Sequence, residues 1–478
     1  LESDVSLRER TQFQPGLVLG NGWILFALAH IPLAFLMRQY PILSTAHALL
    51  VGVVGVMVAL GGRNSPRAAY VLAYIAGAEV LWRMTEAGVF WEYSKYASAA
   101  IAGLAILTRQ PMPRPGRALW FFVLLLPSVA ITLTSLSLEQ TRDEVSFYLS
   151  GALALSACAW YFNGLSIDTA QMRRLVIAYI APAYGIFALA LSGALSAPLE
   201  SFLAGEASVA ASGGYGPNQV SATLGLGALL ALLYLVVLKA GPTMRLLLFF
   251  TLVAFLAQAA LTLARGGIYL FGLGALAALF FIFREPRLRF TIVFAALMFF
   301  FTVYFFAPLL DQFTAGGLSA RFSDLSTTGR IELMQEEFQV WLKNPIFGVG
   351  PGMASSYRIL GGMAINIASH NEFTRMLAEH GVFGLAAIVL LISMAAHNLR
   401  QAASRAQQGL VAAFVVWTFA SMAYMALRLA APALLFGLSG AIVCADLKEA
   451  LAAAEEDQAT AVPGLDLPKP SFPRRVSR

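Results

Sequence analysis

The stretch NIASHNEFTRMLAEHGVFG, residues 366–384, sets two histidines, two glutamates and an arginine just ahead of a long apolar run. Ser369 and Glu372 have the S-x-x-E spacing of a capping box. That spacing predicts a helix beginning at His370, with Phe373, Met376 and Leu377 on its apolar face. The free N–H groups of such a first turn attract anions and disfavour an imidazolium. His370 then stays neutral near pH 7 and can accept a proton, the work of a general base. Packing at a membrane interface is the plain alternative for the same residue. Arg375, one turn beyond His370 and Asn371, carries a planar guanidinium suited to phosphate oxygens.

Other cations fit the same chemistry. The segment TTGRIELMQEEFQVWLKNP predicts a helix over 329–343, capped by Thr328 and stopped by Pro345, with Ile331, Met334, Phe338 and Trp341 at helical spacing. Arg330 opens that helix, either to bind an anion or to pair with Glu332 or Glu336. Arg265, in LTLARGGIY, sits in a very short turn followed by two glycines that let a ligand or another backbone come close. It is a functional candidate because charge at a membrane edge is costly, and a snorkelling arginine is the alternative. Arg428, in MALRLAAP, is a further cation of this kind. Glu79, Arg83 and Glu86 have the i, i+4 and i, i+3 spacing of an internal ion-pair group.

These side chains need a membrane scaffold. The chain is 59% hydrophobic and 12% charged, against roughly 25% charged in an average soluble domain. Apolar runs near the length of a bilayer crossing recur along it. They predict spans at 17–36, 43–60, 68–86, 94–108, 118–138, 146–165, 175–196, 217–238, 246–263, 266–283, 290–308, 382–398, 409–426 and 430–446. The fold expected is therefore an all-α, polytopic transmembrane helical bundle of about 12–14 spans. Glu2, Arg8 and Glu9 interrupt any leader-like apolar region, so no secretory leader is expected.

The net charge of +6 comes largely from basic residues in alternate short loops, as the positive-inside rule requires. No nucleic-acid partner is needed to explain it. The rule puts GGRNSPR, TRQPMPRPGR, QMRR, KAGPTMR and REPRLR on the cytoplasmic side, together with both termini. The expected organisation is a cytoplasmic N-terminal tail over 1–16, transmembrane helices over 17–308, a large periplasmic loop containing helices over 309–381, further transmembrane helices over 382–446, and a disordered cytoplasmic tail over 447–478. A loop of about seventy residues is uncommon unless it folds and functions. Cys158 and Cys444 lie in separate apolar runs, so neither a disulfide nor a zinc site is expected.

The run GRIELMQEEFQVWLKNPIFGVGPGM followed by SHNEFTRMLAEHGVFG resembles the pattern of the O-antigen ligase and polymerase superfamily. LTLARGG after an apolar span and YGPNQVSA opening another are similar to it as well. The likeness covers about residues 210–400. It implies a glycosyltransferase of the bacterial inner (cytoplasmic) membrane, with its active site on the periplasmic face. The donor implied is a glycan on undecaprenyl pyrophosphate; the acceptor is lipid A-core or a growing glycan. Inverting transfer without a metal or other cofactor is implied. By position, Arg265 and Arg330 would bind the pyrophosphate; Arg375, one turn beyond His370, is a further candidate from its own placement. His370 would deprotonate the acceptor hydroxyl and Asn218 would help shape the cavity; Asn371 and Arg428 are supporting candidates beside them. His380, beside Glu379 of the Glu-x-Gly element, is the second candidate for the base. A glycan polymerase and a ligase that glycosylates protein serines share this pattern. A lipid-linked sugar transporter is the reading from another class, and it calls for paired repeats and interrupted helices at the bilayer midplane.

Overall fold

The computed structural model describes residues 22–61, 66–238, 240–324, 329–360, 363–364 and 369–444. The N-terminal tail, the proposed Thr328 cap and the C-terminal tail lie outside the described residues. The rest is a helical bundle. Its first half holds α1 (Gly22–Gln39), α2 (Pro41–Gly61), α3 (Arg67–Met84), α4 (Tyr93–Thr108), α5 (Gly116–Val123), α6 (Val129–Ser135), α7 (Leu138–Phe162) and α8 (Thr169–Ser196). A short turn, α9 (Glu200–Leu203), leads to α10 (Pro217–Val237), α11 (Pro242–Leu261), α12 (Gly266–Ile282) and α13 (Pro286–Phe313). Then come α14 (Gly317–Ser323), α15 (Arg330–Lys343), α16 (Glu372–Gln401), α17 (Arg405–Met425) and α18 (Ala431–Ser439). Among the described residues, nine helices are long and apolar enough to cross a membrane, and the apolar α12 is slightly shorter.

Two of the expected spans are interrupted. The run 118–138 breaks into α5 and α6 around Pro127, whose ring and missing N–H do not suit a helix interior. The run 430–446 stops as a helix at Ser439. Ile442–Cys444 then forms a strand that pairs in parallel with Ser166–Asp168. An antiparallel pair, Ile359–Leu360 with Met363–Ala364, lies in the long loop.

Packing follows the small residues. The core pairings are α3 on α8, α12 on α17, and α10 between α11 and α12. A methyl group on Gly267 would overlap the carbonyl of Ser221, so α12 and α10 cross with their backbones nearly touching. Close backbone approach through small residues is how helices gain van der Waals contact where lipid removes the hydrophobic drive. By contrast α13 buries little of its apolar length. The second glycine after Arg265 thus serves this helix crossing.

Candidate active site

The helix ends that carry the candidate residues meet at one end of the bundle, around the turn from α17 to α18. Ala426 there has φ 57° and ψ −163°, a conformation that costs a residue with a Cβ about 1–3 kcal/mol. Neighbouring side chains hold the turn in place. Glu79 on α3 accepts from the Ala430 N–H at 2.6 Å, and Glu372 on α16 accepts from the Leu427 N–H at 3.2 Å. Lys95 on α4 donates to the Leu427 carbonyl at 3.3 Å, and Arg83 donates to the Arg428 carbonyl at 3.4 Å. Buried carboxylates thus satisfy N–H groups left unpaired by the helix ends. The turn presents Arg428, whose guanidinium donates to the Ser369 carbonyl at 2.9 Å.

The expected ion pair in α3 forms between Glu79 and Arg83 at 2.7 Å. Glu86 does not join it. The helix ends at Met84, and Glu86 is exposed on the left-handed backbone beyond (φ 54°). Arg83 also donates to the side chain of Gln219 at 2.8 Å, beside Asn218.

Tyr424, near the end of α17, links several of the residues singled out by sequence. Its hydroxyl donates to Oδ1 of Asn218 at 2.9 Å. The Arg330 guanidinium lies over its ring, 4.2 Å from the centroid, and also donates to its carbonyl at 3.5 Å. A methyl group on Gly266 would overlap the same ring. So the first glycine after Arg265 makes room for Tyr424. Arg265 itself precedes α12 and donates to the carbonyl of Asp324 at the end of α14.

The opening stretch folds differently from its capping-box spacing. Helix α16 starts at Glu372, two residues later than expected, and Asn371 is its cap. Asn371 Oδ1 accepts from the N–H groups of Phe373 (2.8 Å) and Thr374 (3.2 Å). Asparagine caps as well as serine does, and Glu372 is taken up elsewhere, by Leu427 and Arg375. Ser369 instead donates to the Asn371 carbonyl at 3.1 Å. His370 therefore stands just ahead of the helix. Burial, and then the charges of Arg428, Arg330 and Arg358, lower its pKa to about 4, so the imidazole is neutral near pH 7.

Arg375 comes to the same place, but its guanidinium is shared between Glu372 and Glu379, one on each side of it along the helix. All these groups are buried. Glu379 is followed by the break in α16, where Gly381 has φ 59° and ψ −136°. The loop segment GVG clasps this break: the N–H groups of Val349 and Gly350 each donate at 3.0 Å, to the carbonyls of Ala378 and Glu379. These are carbonyls that a helix end leaves without partners. His380 is fully buried and shares a hydrogen bond of 2.5 Å with Ser128 in the α5–α6 break.

Helix α15 is fastened onto this frame by Glu337, which accepts from the Thr374 hydroxyl and faces Arg358 at 3.5 Å. Burial raises the pKa of Glu337 above the usual carboxylate range. Local spacing carried no signal for Tyr424, Arg358 or Glu337. Glu92, the residue just ahead of α4, and Lys95 lie at i, i+3, which is a detectable spacing, but the Leu427 carbonyl that Lys95 holds is more than three hundred residues away.

A narrow cavity of about 150 Å³ opens among Trp91, Glu92, Tyr148, Ser369, Glu372 and Arg428. No curated protein matches the chain. The family model for O-antigen ligase matches residues 250–389. That segment contains Arg265, Arg330, His370, Asn371 and Arg375, whereas Asn218, Tyr424 and Arg428 reach the site from outside it. Residues 250–389 of this multi-pass helical membrane protein are thus similar to the O-antigen ligase domain.

Proposed function

We propose that the chain transfers a glycan from undecaprenyl pyrophosphate to an acceptor hydroxyl, that of lipid A-core, on the periplasmic face of the bacterial inner membrane. The acceptor oxygen attacks the anomeric carbon as the bond from that carbon to the pyrophosphate oxygen breaks. The hydroxyl proton passes to His370, and undecaprenyl pyrophosphate leaves with the bonding electron pair. The displacement inverts the anomeric centre. Arg265 and Arg330 stabilise the charge that develops on the leaving group. Arg375, neutralised by Glu372 and Glu379, acts as a positioning residue. Asn218 and Asn371 fix Tyr424 and the start of α16, and Arg428 shapes the cavity beside His370. The proposed reaction uses these guanidinium charges in place of a metal.

The observation that carries this reading is a neutral histidine within the field of several arginines, in the domain that matches O-antigen ligase. Basic residues in alternate loops support cytoplasmic termini. The test is a deletion strain carrying wild-type or His370→Ala protein, with the surface glycan resolved on a gel. Ligase activity predicts capped core without polymer in the deletion and in His370→Ala. Core bearing a single repeat unit would instead identify a polymerase, and an unchanged ladder with an altered protein band would identify protein glycosylation.

A further inference from the structure

The cavity beside Ser369 has walls that the transfer mechanism does not use. Glu92 is 4% exposed and lines it. One carboxylate oxygen, Oε2, is taken by Lys95 and by the Ser150 hydroxyl at 3.0 Å. The other, Oε1, is buried and has no hydrogen-bond partner among the described residues. A buried carboxylate oxygen without a donor is costly, so this wall calls for an occupant that donates a hydrogen bond.

Aromatic rings complete the cavity, each with a cation on one side. Arg83 lies 4.6 Å from the centroid of Trp91, Lys95 lies 5.9 Å from that of Phe147, and Arg375 lies 5.0 Å from that of Tyr148. Trp91 remains 53% exposed, so the cation fixes the ring while leaving surface open to a ligand. Of the wall charges, Glu92 is paired with Lys95 and Glu372 with Arg375, while the Arg428 guanidinium donates to the Ser369 carbonyl. A phosphate gains little from such neutral pairs and is repelled by the unpartnered oxygen of Glu92. A sugar ring matches every wall, since it has an apolar C–H face to lie on an aromatic ring and a rim of hydroxyl donors.

Building on the transfer reading above, we infer that this cavity is a saccharide subsite, where a neutral sugar ring stacks on Trp91 and donates a hydroxyl hydrogen bond to Glu92. Both substrates carry such rings: the donor glycan next to its pyrophosphate and the acceptor core at its growing end. The chemistry is the same for either source.

The test uses the full chain in lipid nanodiscs, with lipid-linked glycan and lipid A-core as substrates. Trp91→Ala is expected to raise KM for one substrate about tenfold with kcat nearly unchanged, which is the pattern of lost ground-state binding. Trp91→Phe is expected to restore most of the affinity. A raised KM for lipid A-core identifies the acceptor as the source of the ring, and a raised KM for the lipid-linked glycan identifies the donor. Unchanged KM for both overturns the subsite and leaves the transfer reading intact.

Saturation-transfer NMR with a panel of methyl glycosides gives a readout independent of turnover. Signals are expected from wild type and His370→Ala, and their loss from Trp91→Ala and Glu92→Gln. Equal signals from wild type and Trp91→Ala, or none from wild type, would sink the subsite. Glycoside binding by a wild-type protein that transfers no glycan would count against the transfer reading alone.

Discussion

The guanidinium of Arg330 lies over the ring of Tyr424, 4.2 Å from its centroid, while the Tyr424 hydroxyl is tied to Asn218 at 2.9 Å. One tyrosine thus fixes a cation from the long loop against the start of α10. A partly buried cation–π contact of this kind is worth about 0.5–2 kcal/mol. Tyr424→Leu is expected to lower kcat/KM for transfer by about 2- to 30-fold, as Arg330 loses its seat. Tyr424→Phe keeps the ring and is expected to lose less. Equal losses in the two variants would show that the hydroxyl, and not the ring, sets the position of Arg330.

The acid limb of the rate profile should report His370. Its pKa is lowered to about 4 by burial and by the charges of Arg428, Arg330 and Arg358. A general base acts in its neutral form, which is the form present above its pKa. kcat/KM is therefore expected to rise through about pH 4 and to stay flat towards pH 7. Arg428→Gln removes one of the depressing charges, so the limb should move up towards the ordinary histidine value near 6.5. A limb already near 6.5 in wild type would rule out this assignment.

Arg375 should matter for stability as much as for turnover. Removing it leaves Glu372 and Glu379 buried without their shared counter-charge, a loss of about 3–5 kcal/mol for a buried pair. Arg375→Ala is expected to melt well below wild type in detergent. A variant that melts with wild type but no longer transfers glycan would instead give Arg375 direct contact with the donor.

Leaving-group charge is assigned to arginines, so chelation of divalent metals should leave transfer intact. Arg265→Lys should not, because an ammonium does not reproduce a planar fork of donors. Loss of about ten- to a hundredfold in kcat/KM is expected from it. Strong inhibition by chelator would overturn the assignment.

The membrane-embedded helical architecture was legible because long apolar runs have few alternatives to a spanning helix. Helix α15 was legible from the spacing of Ile331, Met334, Phe338 and Trp341, and the Glu79–Arg83 pair from its i, i+4 offset. Helix starts were less so. Ser369 and Glu372 spelled a cap, yet Asn371 competed with equal propensity while Arg375 and Leu427 drew Glu372 away. The α17–α18 turn was invisible for a different reason. Glu79, Lys95 and Glu372 converge on Leu427–Ala430 from separate helices, and no local spacing encodes contacts across 55 to 351 residues. Arg265 was noticed for its glycines, but they make room for Tyr424 and for α10.

The break at Gly381 separates the short helix that follows His370 from the apolar remainder of α16, while Val349 and Gly350 clasp the near side. A spanning helix changes tilt when the bilayer thickens or thins. With a joint at Gly381, that tilt is expected to be taken up there and not to reach His370. Transfer rates are therefore expected to vary by less than about threefold between thin and thick bilayers. Gly381→Ala, strained by about 1–3 kcal/mol at this backbone conformation, should make the rate depend on acyl-chain length. The same rates for this variant in every bilayer would show that the break does not isolate the site. Such a joint would let the end of the helix that carries His370 keep its place in bilayers of different thickness.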